Sequence, residues 1–120
     1  MGDIGKYFDR SEFACKCGCG QSDISPKIVA ILDGIRGMVG RPLTINSGVR
    51  CSKHNDAEGG KSDSAHTTGL AVDIAVHDSR ERHDIIMFAL QQGIQRIGIA
   101  KTFIHIDIDG TKPQDVAWLY

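Results

Sequence analysis

The sequence predicts an α+β domain, a small and mainly antiparallel sheet with helices packed on one face and polar residues gathered on the other. Three observations carry this. Two stretches, after Ser25 and after Ser79, repeat their apolar residues at helical spacing, whereas 70–76 and 103–109 alternate at a period of two. In the last run Ile104, Ile106 and Ile108 take one side of a strand and His105, Asp107 and Asp109 the other. An apolar core therefore lies on one sheet face only.

Taken in order, residues 8–24 form a loop-rich N-terminal segment, opening with Phe8-Asp9-Arg10-Ser11-Glu12-Phe13 and passing into Cys15-Lys16-Cys17-Gly18-Cys19-Gly20. Ser25 then suits a helix N-cap and Pro26 the first helical position, and Ile28, Ile31, Leu32 and Ile35 supply the buried stripe. Gly34 and Gly37 weaken this helix; Gly40 with Pro42 ends it. Leu43-Thr44-Ile45-Asn46-Ser47 alternates as a short strand. From Ser52 to Gly69 no hydrophobic period exists, and a polar loop of that length is uncommon in a compact domain unless it has a function.

Leu70 to Val76 reads as a strand with Val72 and Ile74 on one side and Asp73 on the other. Ser79 is the expected cap of a second helix reaching about Gln92, with Ile85, Ile86, Ala89 and Leu90 on its apolar side and Gly93 as its stop. Ile94 to Ile99 gives a further strand, and Ala100 to Thr102 the turn into 103–109.

The 120 residues suit one domain, 1–120, large enough to bury roughly two-thirds of its unfolded surface without a disulfide framework. Its 14 basic and 15 acidic residues are mixed along the chain, so no electrostatic footprint favours nucleic acid or an anionic membrane. No apolar run approaches the ~20 residues of a membrane span. Met1 to Lys6 lacks the apolar core of a signal peptide, so no export address and no membrane insertion are expected. A monomer is the expected state.

The chemistry concentrates in Ser64-Ala65-His66-Thr67-Thr68-Gly69-Leu70-Ala71-Val72-Asp73. A turn at Gly69 can bring His66 back toward Asp73, and a carboxylate on a central strand must be paired or bound to a cation. His105 raises the same question on a second strand. Imidazole nitrogen and carboxylate oxygen both suit zinc at about 2.0–2.2 Å, and three protein ligands leave a fourth position for a catalytic water. A hydrogen-bonded structural histidine and a turn-forming Asp are the plainer alternatives.

Ser64-x-His66-x-x-Gly69-x-Ala71-x-Asp73, preceded by Ile45-Asn46-Ser47-Gly48-Val49-Arg50 and followed by Phe103-Ile104-His105-Ile106-Asp107, resembles the M15 group of zinc D-Ala-D-Ala carboxypeptidases and peptidoglycan endopeptidases. The likeness is greatest to its short branch in phage endolysins and bacterial cell-wall enzymes, and it runs from Phe13 and the cysteine segment to Trp118. The resemblance implies Zn2+ held by His66, Asp73 and His105. It implies a substrate-binding or oxyanion-stabilising role for Arg50, which is otherwise a solvated surface charge. It also implies hydrolysis of a peptide bond in the wall's stem peptides or cross-links, by an enzyme made in the cytoplasm and reaching the wall after release or with the virion. A zinc-stabilised, non-catalytic binding module of the same fold is the competing reading.

One departure bears on catalysis. Better-known relatives carry an acidic base three residues before the third ligand, where this chain has Thr102. Asp107, on the same strand side as His105, is the candidate base, or else the partner that orients His105 through its other nitrogen. Ser64 is a candidate substrate contact or a local cap.

Cys15, Cys17, Cys19, Cys51 and His54 leave three readings open: a second structural zinc site, a disulfide from the early loop to Cys51, or free buried thiols. His77 and His83 read as exposed polar residues. Trp118 and Tyr120 read as a terminal aromatic pair covering the core, with a cleft wall as the alternative, and Asp109 before Gly110 reads as a turn former.

Overall fold

The computed structural model describes residues 2–61 and 64–120; Met1 and the Ser62-Asp63 stretch of the expected polar loop lie outside the described residues. In chain order the elements are α1 (Pro26–Val39), β1 (Ile45–Ser47), α2 (Ser52–Ala57), β2 (Ala71–Ala75), α3 (Ser79–Gln91), β3 (Arg96–Ile99), β4 (Phe103–Asp107) and β5 (Val116–Leu119). Single 3-10 turns occupy Arg10–Phe13 and Ala65–Thr68. The five strands make one sheet in the order β1-β2-β4-β3-β5, antiparallel except where β5 runs parallel to β3. This is the α+β fold expected from the sequence.

Helix α1 forms where its signals stand. Ser25 Oγ accepts the Lys27 N–H at 3.2 Å, Pro26 opens the helix, and Gly40 closes it in the left-handed region with φ 79°. Helix α3 starts at Ser79, but its cap is Asp78. That residue is extended, and its carboxylate accepts the Glu81 N–H at 2.9 Å, whereas Ser79 is already helical.

The strand alternation sets the two sheet faces. Val72 pairs with Ile106 and Ile74 with Ile104, and all four side chains are fully buried against Ile28, Leu32 and Ile35 of α1 and Ile85 and Ala89 of α3. Burying each large side chain contributes about 2 kcal/mol of transfer free energy, so this face holds the layers together. Asp73 pairs with His105 and Ala71 with Asp107, which puts those polar groups on the opposite face.

Two further features differ from the sequence expectation. The polar stretch after Ser52 contains helix α2, too polar to show a hydrophobic period because it buries only Asn55; Cys51 caps it. Strand β5 was not expected, since its four residues lack an alternating pattern and form only by pairing with β3. On the polar face Asp73, His105 and Asp107 are all buried. Among the described residues, no helix is long and apolar enough to cross a membrane.

Candidate metal centre

The register builds the site along one transverse row. Ser47, Asp73, His105, Gly98 and Trp118 are successive partners across β1, β2, β4, β3 and β5 and therefore share a face. Gly98 is needed in that row, because a Cβ there would lie 2.6 Å from both Trp118 Nε1 and Tyr120 Cε2. The missing side chain lets the Trp118 ring come within 5.4 Å of the His105 ring, centroid to centroid.

His66 joins the row from outside the sheet. It sits in the 3-10 turn Ala65–Thr68, whose N-cap Ser64 accepts the His66 N–H at 3.3 Å and whose C-cap Gly69 has φ 73°. Gly69 also packs against the Asp23 carbonyl, and its own carbonyl accepts the Ser25 N–H, so the turn is held against the start of α1.

The donors converge. Asp73 Oδ1 is 2.9 Å from His105 Nδ1 and 3.3 Å from His66 Nε2, and one donor atom from each of the three residues lies within 4.8 Å of the others. The remaining ring nitrogens are occupied. The Gly48 carbonyl lies 2.8 Å from His66 Nδ1 and can only accept, so it places a proton there and leaves Nε2 to face Asp73. Asp107 Oδ2 lies 2.8 Å from His105 Nε2 and fixes that ring by the same logic. Two imidazoles and a carboxylate, buried, close together and held at their outer atoms, suit a divalent cation such as zinc.

The electrostatics agree with that donor set. Burial alone would raise the pKa of Asp73, but the hydrogen bonds and charge of His105 and His66 outweigh it and hold the carboxyl well below the usual range. Burial would lower His105, yet the Asp107 and Asp73 carboxylates on its two nitrogens raise it. Asp107 is lowered against its own burial by His105, the Asp109 N–H and Arg96. A proton on His105 Nδ1 and a divalent cation would compete for one lone pair.

Arg50 borders the same centre. Its Nη2 is 3.4 Å from Asp73 Oδ2, its Nε donates to Ser47 Oγ at 3.1 Å, and its Nη1 donates to Asn55 Oδ1 at 3.4 Å. The guanidinium is mostly buried rather than the solvated charge that was the alternative. Ser64, Arg50, His66, Asp73, His105 and Asp107 all line one cavity of about 860 Å³.

A model of the peptidase M15 family matches residues 6–108. The chain belongs to the peptidase M15 family. No curated protein matches it. The M15 match ends at Ile108, so β5, which carries Trp118, and Tyr120 after it lie beyond the matched span.

Four residues of this M15 site escaped the sequence reading or were read otherwise. Trp118, expected chiefly as core cover, lines the cavity, as does Tyr120, which is 66% exposed. Arg96 donates to Asp107 Oδ1 at 2.8 Å and lies over the Trp118 ring at 4.9 Å. Asn55 is buried, receives Arg50 and donates to the Lys61 carbonyl at 2.7 Å. None carries a sequence signal beyond its type: Arg96 and Trp118 reach the site through the pairing of β3 with β4 and β5, and Asn55 through its place on the short polar helix α2, five residues after Arg50. Elsewhere, His77 and His83 are exposed beside Glu81 and Asp84, and Asp109 forms a turn by accepting the Thr111 N–H at 3.0 Å.

Proposed function

We propose that this M15 family member is a zinc-dependent hydrolase of a peptide bond in bacterial peptidoglycan, with Zn2+ held by His66, Asp73 and His105. The observation that carries the reading is the convergence of these three buried donors at the floor of an open cavity, each imidazole fixed at its second nitrogen. A bound Zn2+ would supply an activated water and polarise the scissile carbonyl.

The chain's own groups account for the rest. Gly48 and Asp107 hold the two imidazoles in the tautomers that leave Nε2 of His66 and Nδ1 of His105 pointing at Asp73. Both Asp107 oxygens are committed, Oδ2 to His105 and Oδ1 to Arg96 and the Asp109 N–H, which favours positioning His105 over accepting a proton from water. Arg50 presents a planar guanidinium, already oriented by Ser47 and Asn55, to a peptide carboxylate or to the oxyanion that develops on attack. Phe103, Trp118 and Tyr120 give the cavity an aromatic side, with the Phe103 and Tyr120 ring centroids 5.0 Å apart. Ser64 stands at the rim, where its hydroxyl caps the His66 turn and is available to a substrate amide.

Thr102 in place of the acidic base favours a second reading, a zinc-stabilised module that binds wall peptides without cutting them. Digestion of purified peptidoglycan with the zinc-loaded protein, followed by mass spectrometry of the products, separates the two. New amino and carboxyl ends within the stem or cross-bridge support hydrolysis. Intact muropeptides from a protein that retains zinc and binds the wall support the module.

A further inference from the structure

The four cysteines lie apart from the His66, Asp73 and His105 donors and have no part in the mechanism above. Cys15, Cys17 and Cys19 belong to the loop before α1, and Cys51 is the N-cap of α2, yet the four sulfurs all lie within 4.8 Å of one another. Sγ of Cys15 is 3.4 Å from that of Cys17 and 3.8 Å from that of Cys51, and Cys17 and Cys51 are 3.5 Å apart. A disulfide needs about 2.0 Å between sulfurs. A tetrahedron of thiolates at about 2.3 Å from zinc has edges of about 3.8 Å. The observed spacings match the second geometry and not the first.

We propose that Cys15, Cys17, Cys19 and Cys51 form a second, closed, four-thiolate Zn2+ site with a structural role. The alternate spacing of the first three departs from a C-x-x-C knuckle, but the chain reverses at Gly18 and Gly20, where φ is 84° and 87°, and the Cys15 N–H donates to the Gln21 carbonyl at 2.7 Å. That reversal folds three thiols onto one side of the loop. Two backbone donors already point at sulfur, the Cys51 N–H at Cys15 Sγ and the His54 N–H at Cys51 Sγ, both at 3.4 Å, and such donors stabilise thiolates. His54 is not among the converging groups; its Nε2 lies 3.5 Å from Glu58 instead.

The site would staple the N-terminal loop to the segment that supports the first metal centre. Cys51 follows Arg50, the Val49 N–H bonds the Phe13 carbonyl at 2.8 Å, and the Gly48 carbonyl holds His66. A cation joining residues 15–19 to Cys51 therefore braces the backbone that orients both Arg50 and His66.

The test is metal content and cobalt spectroscopy on the whole chain, purified under reducing conditions. The wild-type protein is expected to hold close to two zinc ions, one per donor cluster. After cobalt exchange, the His105→Ala variant should retain one metal with strong thiolate-to-cobalt charge-transfer absorption, and Cys19→Ser, at an exposed position, should lose or markedly weaken that absorption. One metal with the thiolate absorption in the wild-type protein would support this site while removing the proposed catalytic zinc. Absence of the thiolate absorption, four thiols that react freely in the zinc-loaded native protein, or a disulfide found by mass would each overturn the proposal.

Discussion

Asp107 engages His105 at Nε2, 2.8 Å away, while Asp73 faces the same ring's Nδ1 at 2.9 Å. One imidazole is thus suspended between two carboxylates, each with a separate task. Asp73 shares its oxygen with His66, and Asp107 is anchored by Arg96.

Asp107→Asn tests the division. The amide keeps the shape but loses the charge that holds the His105 Nε2 proton and pairs with Arg96. Zinc affinity should fall about 10–100-fold, as for other partners of metal-ligating histidines, while kcat at saturating zinc stays within about tenfold of the parent. Metal titration alongside peptidoglycan turnover measures both. A loss of kcat beyond about 100-fold at full zinc occupancy would return Asp107 to the role of general base.

Arg50→Lys keeps the positive charge beside Asp73 but cannot donate to Ser47, Asn55 and Asp73 from one planar group. We expect kcat/KM on wall peptides to drop about 100-fold with zinc content unchanged. Unaltered turnover would assign the guanidinium to support of Asp73 alone.

Gly69→Ala should destabilise the fold by about 2 kcal/mol or more, because φ is 73° and the new Cβ would strike the Asp23 carbonyl. Gly59→Ala is the control. It has the same φ of 73° with nothing within 4 Å of the added carbon, so it should lose only about 1 kcal/mol. Urea melts of the two variants compare them, and equal losses would remove the collision from the argument.

The chelated protein should be most stable at mildly acidic pH. Asp73 and Asp107 have lowered pKa values, so their contribution is complete above the unfolded carboxylate value of about 4 and is lost as pH falls through their folded values. His105 is raised, so its contribution is complete below the unfolded imidazole value of about 6.5 and is lost as pH rises through its folded value. The Tm of chelated protein should therefore peak between about pH 4 and 6.5 and fall toward both sides, and added zinc should flatten the alkaline fall. A Tm of chelated protein that climbs steadily from about pH 5 to 9 would contradict this assignment of charges.

The amino-acid order by itself determined the α1 caps at Ser25 and Gly40, the two-sided strands β2 and β4, and hence that Asp73, His105 and Asp107 turn away from the apolar core. These are local properties: a cap is read within one helical turn, and alternation repeats every two residues. Only the tertiary structure decided that Asp73 and His105 are register partners, that His66 closes on them, that β5 brings Trp118 alongside, and that Cys51 meets the thiols of residues 15–19. Helix α2 belongs to the same group, since a polar six-residue helix owes its stability to what Cys51 and Asn55 contact and not to a periodic face. Register and loop closure depend on how distant apolar faces pack together, and that information resides in no single window of the chain.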